Sequence, residues 1–278
     1  MKAIPSLFGA TIAACGAMML LGAAARAADE SAWAQDSRSG VRLIAGASKS
    51  GERLRAGVEI QLQPGWKTYW RYPGDSGVPP RFDFSGSENL KAAKVLYPAP
   101  HLFSDEAGNA LGYKDSVIFP IQLSPQQPGK PVRLRLKLDY AVCEKLCIPA
   151  EGRAELTLSA GDSAQDAALT AAEARVPRPV TAAAAGLSVR RVNDRPKPLI
   201  AVDLATGADK PVTLLVEGPT PEWALPIPTP AQGAPAGHRH FGFELDGLPS
   251  GVDPKGHFEL TFTVVEGDRA IEVKTHLD

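Results

Sequence analysis

The sequence predicts an all-β protein: two β-sandwiches in tandem, joined by a short Ala/Pro-rich linker and preceded by an export signal. Three observations predict it. Short segments alternate apolar and polar residues with the two-residue period of half-buried strands. Twenty-five prolines and 26 glycines among 278 residues break those segments at close intervals, as sandwiches require. Few segments read as helix; the clearest, Asp162 to Ala174, looks like a short helix or linker closed by Pro177 and Pro179.

The N-terminus sets the compartment. Lys2 is followed by an apolar and small-residue run from Ala3 to Ala25, which ends in Ala25-Arg26-Ala27. This pattern is a secretory signal peptide, residues 1–27, with cleavage expected after Ala27. Ile12-Ala13-Ala14-Cys15 has the look of a lipobox, but the apolar run continues through Ala17 to Leu21 as an ordinary signal core does. Losing Lys2 and Arg26 with no acid takes the formal net charge from −1 to −3. No basic face is indicated, and nucleic acid is not expected as a partner. Past the leader, no apolar run reaches the ~18 residues of a membrane span.

Five strands are expected in the first sandwich, residues 28–165: Val41–Ala45, Arg55–Gln63, Val117–Leu123, Val132–Leu138 and Ala154–Leu158. Arg133-Leu134-Arg135-Leu136-Lys137-Leu138 alternates strictly, so one face lies on a core and the other meets water. Residues 166–179 are the expected linker. Six strands follow in the second sandwich, residues 180–278: Leu187–Val192, Leu199–Leu204, Val212–Glu217, Phe241–Leu245, Phe258–Val265 and Ala270–His276. Pro219 to Gly237, rich in Pro, Ala and Gly, reads as a long exposed loop.

Chemistry concentrates in Asp139 to Gly152, DYAVCEKLCIPAEG, which holds Cys143 and Cys147, the two cysteines outside the leader. A strand leads into Cys143 and another leaves after Cys147. A turn at Glu144-Lys145-Leu146 therefore brings the sulfurs near each other across a hairpin neck, within disulfide reach. So short a loop is a weak global staple, well under the ~3 kcal/mol assigned to a 15-residue loop. A redox couple and an inert staple both remain open on these residues. Thiolates also suit Cu(I) or zinc. Yet His101, His238, His240, His257 and His276 are scattered and all three methionines lie in the leader, so no metal and no cofactor are expected. The pair His238 and His240 reads as an exposed polar edge.

A second unusual segment is Trp66 to Gly77, WKTYWRYPGDSG, with four aromatics in seven residues. Some of these must be core at a strand end; others can form an aromatic wall beside the sulfurs. Arg71 and Asp75 are placed to pair there.

WKTYWRYPGDSG, then HLFSDEAGNALGYKDSVIFPI, then LDYAVCEKLCIPAEG, in that order, resemble the N-terminal periplasmic domain of DsbD-type thiol:disulfide interchange proteins, and within them the ScsB branch associated with copper tolerance. The resemblance covers residues 40–160 and extends to the second sandwich only in layout. It implies a periplasmic immunoglobulin-like module whose cysteine pair relays electrons, a protein-disulfide reductase component. Cys147, before Ile148-Pro149, matches the sulfur that forms mixed disulfides, and Cys143 its resolving partner. His101 to Tyr113 matches a cap loop over the sulfurs, with Phe103, Tyr69, Trp70 and Tyr140 as shielding residues. The implied partners are a thioredoxin-like protein or domain, a separate membrane electron transporter and exported thiol or disulfide substrates. Family members with five residues between their cysteines differ from the three found here, which bears on hairpin geometry. The alternative function is a non-catalytic exported immunoglobulin-like binding module with a structural disulfide, or a copper-tolerance accessory protein.

Overall fold

The computed structural model describes residues 28–75, 77–105, 108–192, 197–206 and 211–277; the expected signal peptide lies outside them. The first half of the chain supplies β1 (Ala34–Gln35), β2 (Ser39–Ala45), β3 (Leu54–Leu62), β4 (Lys67–Gly74), β5 (Arg81–Asp83), β6 (Leu90–Val95), β7 (His101–Asp105), β8 (Gly108–Lys114), β9 (Ser116–Pro125), β10 (Val132–Cys143) and β11 (Cys147–Leu158). These pair antiparallel into two sheets, ordered β1-β2-β3-β9-β6 and β11-β10-β4-β8-β7, with β5 hydrogen-bonded to β10. The protein is all-β in class. All five strands expected in this half are present, and β1, β4, β5, β6 and the β7–β8 pair are additional to them.

The period of two builds the core. On β10, Val132, Leu134, Leu136, Leu138, Tyr140 and Val142 all join one cluster with Val41, Leu43, Val58, Ile60 and Phe119 of the facing sheet. The opposite face of β10 carries Arg133, Arg135 and Lys137, paired with Glu155, Glu88 and Glu151 at the surface. Towards the end of the strand this outer face changes character. Ala141 and Cys143 are covered, not by the main core, but by a small separate cluster with Tyr69 and Ala110.

The expected linker is not a free connector. Its first part is helix α1 (Asp166–Ala174), packed on the outer face of β2 and β9. Leu169 is fully buried there, and the surface below is cleared by glycines. A Cβ on Gly46 would stand 2.4 Å from the Leu169 side chain, and one on Gly57 3.1 Å. The Arg55 guanidinium holds the helix through Asp166 at 2.6 Å and Glu173 at 2.6 Å. Both carboxylates reach it because they sit seven residues apart, two turns along one face. The rest of the stretch is β12 (Arg178–Val180), already a strand of the second unit.

There, a short helix α2 (Ala182–Ala185) leads into β13 (Leu187–Arg191), β14 (Leu199–Ala205), β15 (Val212–Glu217), β16 (Thr229–Ala231), β17 (His238–Glu244), β18 (Phe258–Glu266) and β19 (Arg269–Leu277). The sheets are β12-β19-β18-β15 and β13-β14-β17-β16, around a core that includes Ile200, Val202, Phe241, Phe243, Leu260 and Phe262. The six strands expected in this half are all found.

The two units meet over the outer face of the β12-β19-β18-β15 sheet. On β15, Leu214 and Val216 point into their own core, whereas Leu215 joins the core of the first unit. Thr263 pairs with both Leu215 and Glu272 across the sheet and is fully buried on that face. The segment Pro219 to Gly237, expected as an exposed loop, lines the contact. Trp223 and Leu225 are buried and Ile227 packs on the first core. The Tyr72 hydroxyl donates to the Leu225 carbonyl. Burial, with Asp75 and Glu217 adding repulsion, pushes the Tyr72 pKa up from 10 to about 12. Because the folded value lies above the unfolded one, this contact stabilises in full below pH 10 and is lost as pH rises through 12. Tyr72→Phe therefore makes the alkaline fall in melting temperature shallower; equal slopes for variant and wild type would refute the assignment.

Candidate functional site

Cys143 and Cys147 close the β10–β11 hairpin. They are directly opposed in register, their Cα atoms are 4.2 Å apart, and they form a disulfide. Glu144, Lys145 and Leu146 make the exposed turn between them, and Leu146 is 78% exposed. The two sulfurs differ in access. Cys143 is 2% exposed, on the covered outer face of β10, while Cys147 is exposed at the start of β11.

The cover comes from β4 and β8. Tyr69, buried at 1% exposure, points its hydroxyl between the sulfurs, 2.8 Å from Cys143 Sγ and 3.0 Å from Cys147 Sγ. With the disulfide closed neither sulfur carries a proton, so the phenol is the donor. The neighbouring threonine fixes the strand: Thr68 Oγ1 donates to the Ala141 carbonyl at 2.9 Å. Above the ring the chain passes as glycine. A Cβ on Gly77, whose φ is +140°, would fall 2.4 Å from the Tyr69 ring. A side chain at position 77 would force the tyrosine ring or the chain at Gly77 to shift.

His101–Asp105 and Gly108–Lys114 pair as a β-hairpin, β7–β8, where a loop was expected; Glu106 and Ala107 lie outside the described residues. Its hold on the first unit is specific. The Asp75 amide donates to the Asn109 carbonyl at 2.8 Å, and the Asp75 carboxylate accepts from the Asn109 amide at 2.8 Å. Phe103 is half-buried and packs against the Tyr69–Ala110–Ala141–Cys143 cluster. The ammonium groups of Lys67 and Lys114 lie 5.7 and 4.8 Å from its ring centre.

Two of the residues expected to shield the sulfurs are not brought to them. Trp70 follows Tyr69 on the strand and so points the other way, fully buried in the main core. Tyr140 lies three residues before Cys143, hence on the opposite face of β10, and its hydroxyl bonds Ser39 Oγ at 2.7 Å. Parity along a strand was the signal that separates these residues. Arg71 does not pair with Asp75; it reaches Glu217 and Glu272 of the second unit at 2.7 and 2.6 Å. His238 and His240 both bond Asp203, each at 2.8 Å, and hold that carboxyl below its usual range, His238 contributing most. Among the described residues no group of three or more His, Cys, Asp or Glu is arranged to hold a metal, and no helix is long and apolar enough to cross a membrane.

A buried and an exposed cysteine are thus bonded across a hairpin neck under a phenol and a half-buried phenylalanine. Residues 41–159 match the family "Thiol:disulfide interchange protein DsbD, N-terminal". Both units together share the fold of the N-terminal periplasmic domain of ScsB from Proteus mirabilis. That structure is 22% identical over 90% of this chain and 98% of its own, with a TM-score of 0.70. A marsupial T cell receptor, 9% identical over 87% of this chain and 97% of its own, superposes with a TM-score of only 0.21. A search of curated proteins finds no match.

Proposed function

We propose that the protein is a periplasmic thiol–disulfide relay module of two immunoglobulin-like domains, working after removal of the signal peptide 1–27. The observation that carries this reading is the unequal access of the two sulfurs: Cys147 exposed, Cys143 buried at 2%, with one phenol hydroxyl within 3.0 Å of both. In the reduced protein the Cys147 thiolate attacks one sulfur of a partner disulfide; the partner's other sulfur leaves as a thiolate and takes a proton. Cys143, deprotonated, then attacks Cys147 Sγ, expels the partner's second thiolate and closes the Cys143–Cys147 bond. Two electrons pass to the partner, and a reduced dithiol on a thioredoxin-like protein, fed by a membrane electron transporter, resets the pair by the same steps reversed.

The Tyr69 hydroxyl suits both states. It donates to the closed disulfide, and on opening it donates to whichever thiolate forms, which favours the charged form. Leu146, exposed in the turn between the two cysteines, gives an exchange partner an apolar contact beside the sulfurs.

The reduction potential tests the proposal. A relay pair equilibrates with glutathione or thioredoxin-like proteins, whereas structural disulfides of secreted proteins lie below about −300 mV. A potential well below that limit, with resistance to mild reductant in the folded state, would favour a binding module stapled by its disulfide.

A further inference from the structure

The same strand that carries Tyr69 carries a charged contact between the two units. In the β4–β8 ladder Tyr69 stands opposite Gly112 and Gly74 opposite Ala110, so Trp70 to Pro73 are opposed by Leu111 alone. Surplus residues on one strand make a bulge, which bends the strand and re-aims its side chains. Here the bulge turns Arg71 and Tyr72 out of the ladder and towards the second unit. The Arg71 guanidinium stacks on the Trp70 ring at 4.5 Å and forks onto Glu217, at 2.9 and 2.7 Å, with Glu272 at 2.6 Å. Two carboxylates from β15 and β19 thus converge on one cation, all three side chains 27% exposed or less.

Such a partly buried ion cluster is a poor source of net stability, since desolvation offsets most of its attraction. What a planar fork gripped by two carboxylates does supply is a fixed direction. The direction fixed here is that of the bulge, whose two ends both govern Tyr69. At one end Tyr69 is the adjoining residue. At the other, the chain leaves Gly74 through Asp75, tied to Asn109, and returns as Gly77 against the Tyr69 ring.

We infer that Arg71 is a positioning residue for the cysteine pair. The second unit, gripping the β4 bulge through Glu217 and Glu272, braces the Tyr69 hydroxyl at its place between Cys143 and Cys147 and thereby tunes the redox equilibrium of the pair. The inference rests on the relay reading. On it the second unit is a brace, acting on the sulfurs through one strand.

The sign follows from the donor. A hydroxyl held on the sulfurs bonds a thiolate more strongly than a disulfide, because the bond is then charge-assisted. It therefore stabilises the reduced form, and loosening it shifts the equilibrium with glutathione towards the disulfide. For the full chain at pH 7, Tyr69→Phe is expected to shift that constant by about tenfold, the worth of a hydrogen bond to a charged group. Arg71→Ala should shift it severalfold in the same direction, and the double variant Tyr69→Phe/Arg71→Ala no further than Tyr69→Phe alone. Should Arg71→Ala fail to fold, Glu272→Gln, which keeps a hydrogen-bond acceptor and removes one charge, carries the same comparison. A constant unmoved by loosening the clamp, or a double variant showing the sum of two independent shifts, overturns the brace and leaves the relay standing. A wild-type pair that equilibrates with no thiol reagent at all overturns the relay, and the brace with it.

Discussion

Cys143→Ser accumulates mixed disulfides with a thioredoxin-like partner, and Cys147→Ser does not. The expectation follows from access. Thiol exchange requires the attacking sulfur to approach the partner disulfide in line, and Cys147 stands exposed at the head of β11. Cys143 is enclosed by Tyr69, Ala110 and Ala141, and can be reached only from its own partner across the hairpin. Replacing Cys143 leaves the attacking sulfur in place and removes the sulfur that would resolve the complex, so the covalent intermediate persists. Replacing Cys147 leaves a thiol that no large partner can meet. A non-reducing gel of the two variants after incubation with an oxidised thioredoxin-like protein reads the difference directly. Equal trapping by both would remove the assignment of roles and require the β7–β8 hairpin to move far enough to uncover Cys143.

Trp70→Ala and Phe103→Ala separate core from cover. Trp70 is fully buried in the main cluster, and its removal leaves a cavity between the two sheets of the first unit. A loss of about 3–5 kcal/mol is expected for so large a truncation, read as a fall in the denaturation midpoint. Phe103 is half-buried and belongs to the small cluster around Cys143, outside that core. Its truncation should leave the midpoint nearly unchanged while speeding the reaction of the reduced pair with a small alkylating reagent. A large stability loss for Phe103→Ala with unchanged thiol reactivity would make it a core residue and remove the cap.

Strands with one wet face were legible from their alternation. Arg133 to Leu138 alternates without exception, and both its period and its buried side follow from that alone. Strand β4 escaped detection for the opposite reason. Thr68, Tyr69 and Trp70 are buried on both faces, one towards the sulfurs and one towards the core, so no alternation survives. The β7–β8 hairpin was hidden by the turn-forming character of Ser104, Gly108 and Asn109. The cysteines announced the site, but nearness in sequence to Cys143 said nothing about which way Tyr140 points; counting residues modulo two would have. Trp223, Leu225 and Ile227, every second residue in a proline-rich stretch, carried a strand-like burial signal that composition masked. The partners of Arg71, 146 and 201 residues away, left no local trace at all.

Helix α1 changes what counts as the redox half of the chain. The outer face of β2 and β3 is notched at Gly46 and Gly57, and Leu169 fills the notch from beyond the last strand of the first unit. A fragment cut at residue 165 would carry every cysteine, tyrosine and phenylalanine of the site and still present a bare apolar trench, with Arg55 stripped of both its carboxylates. Such a trench invites self-association. The smallest piece fit for transplantation into another protein therefore ends past Arg175, and its boundary is set on the side of the sandwich away from the chemistry.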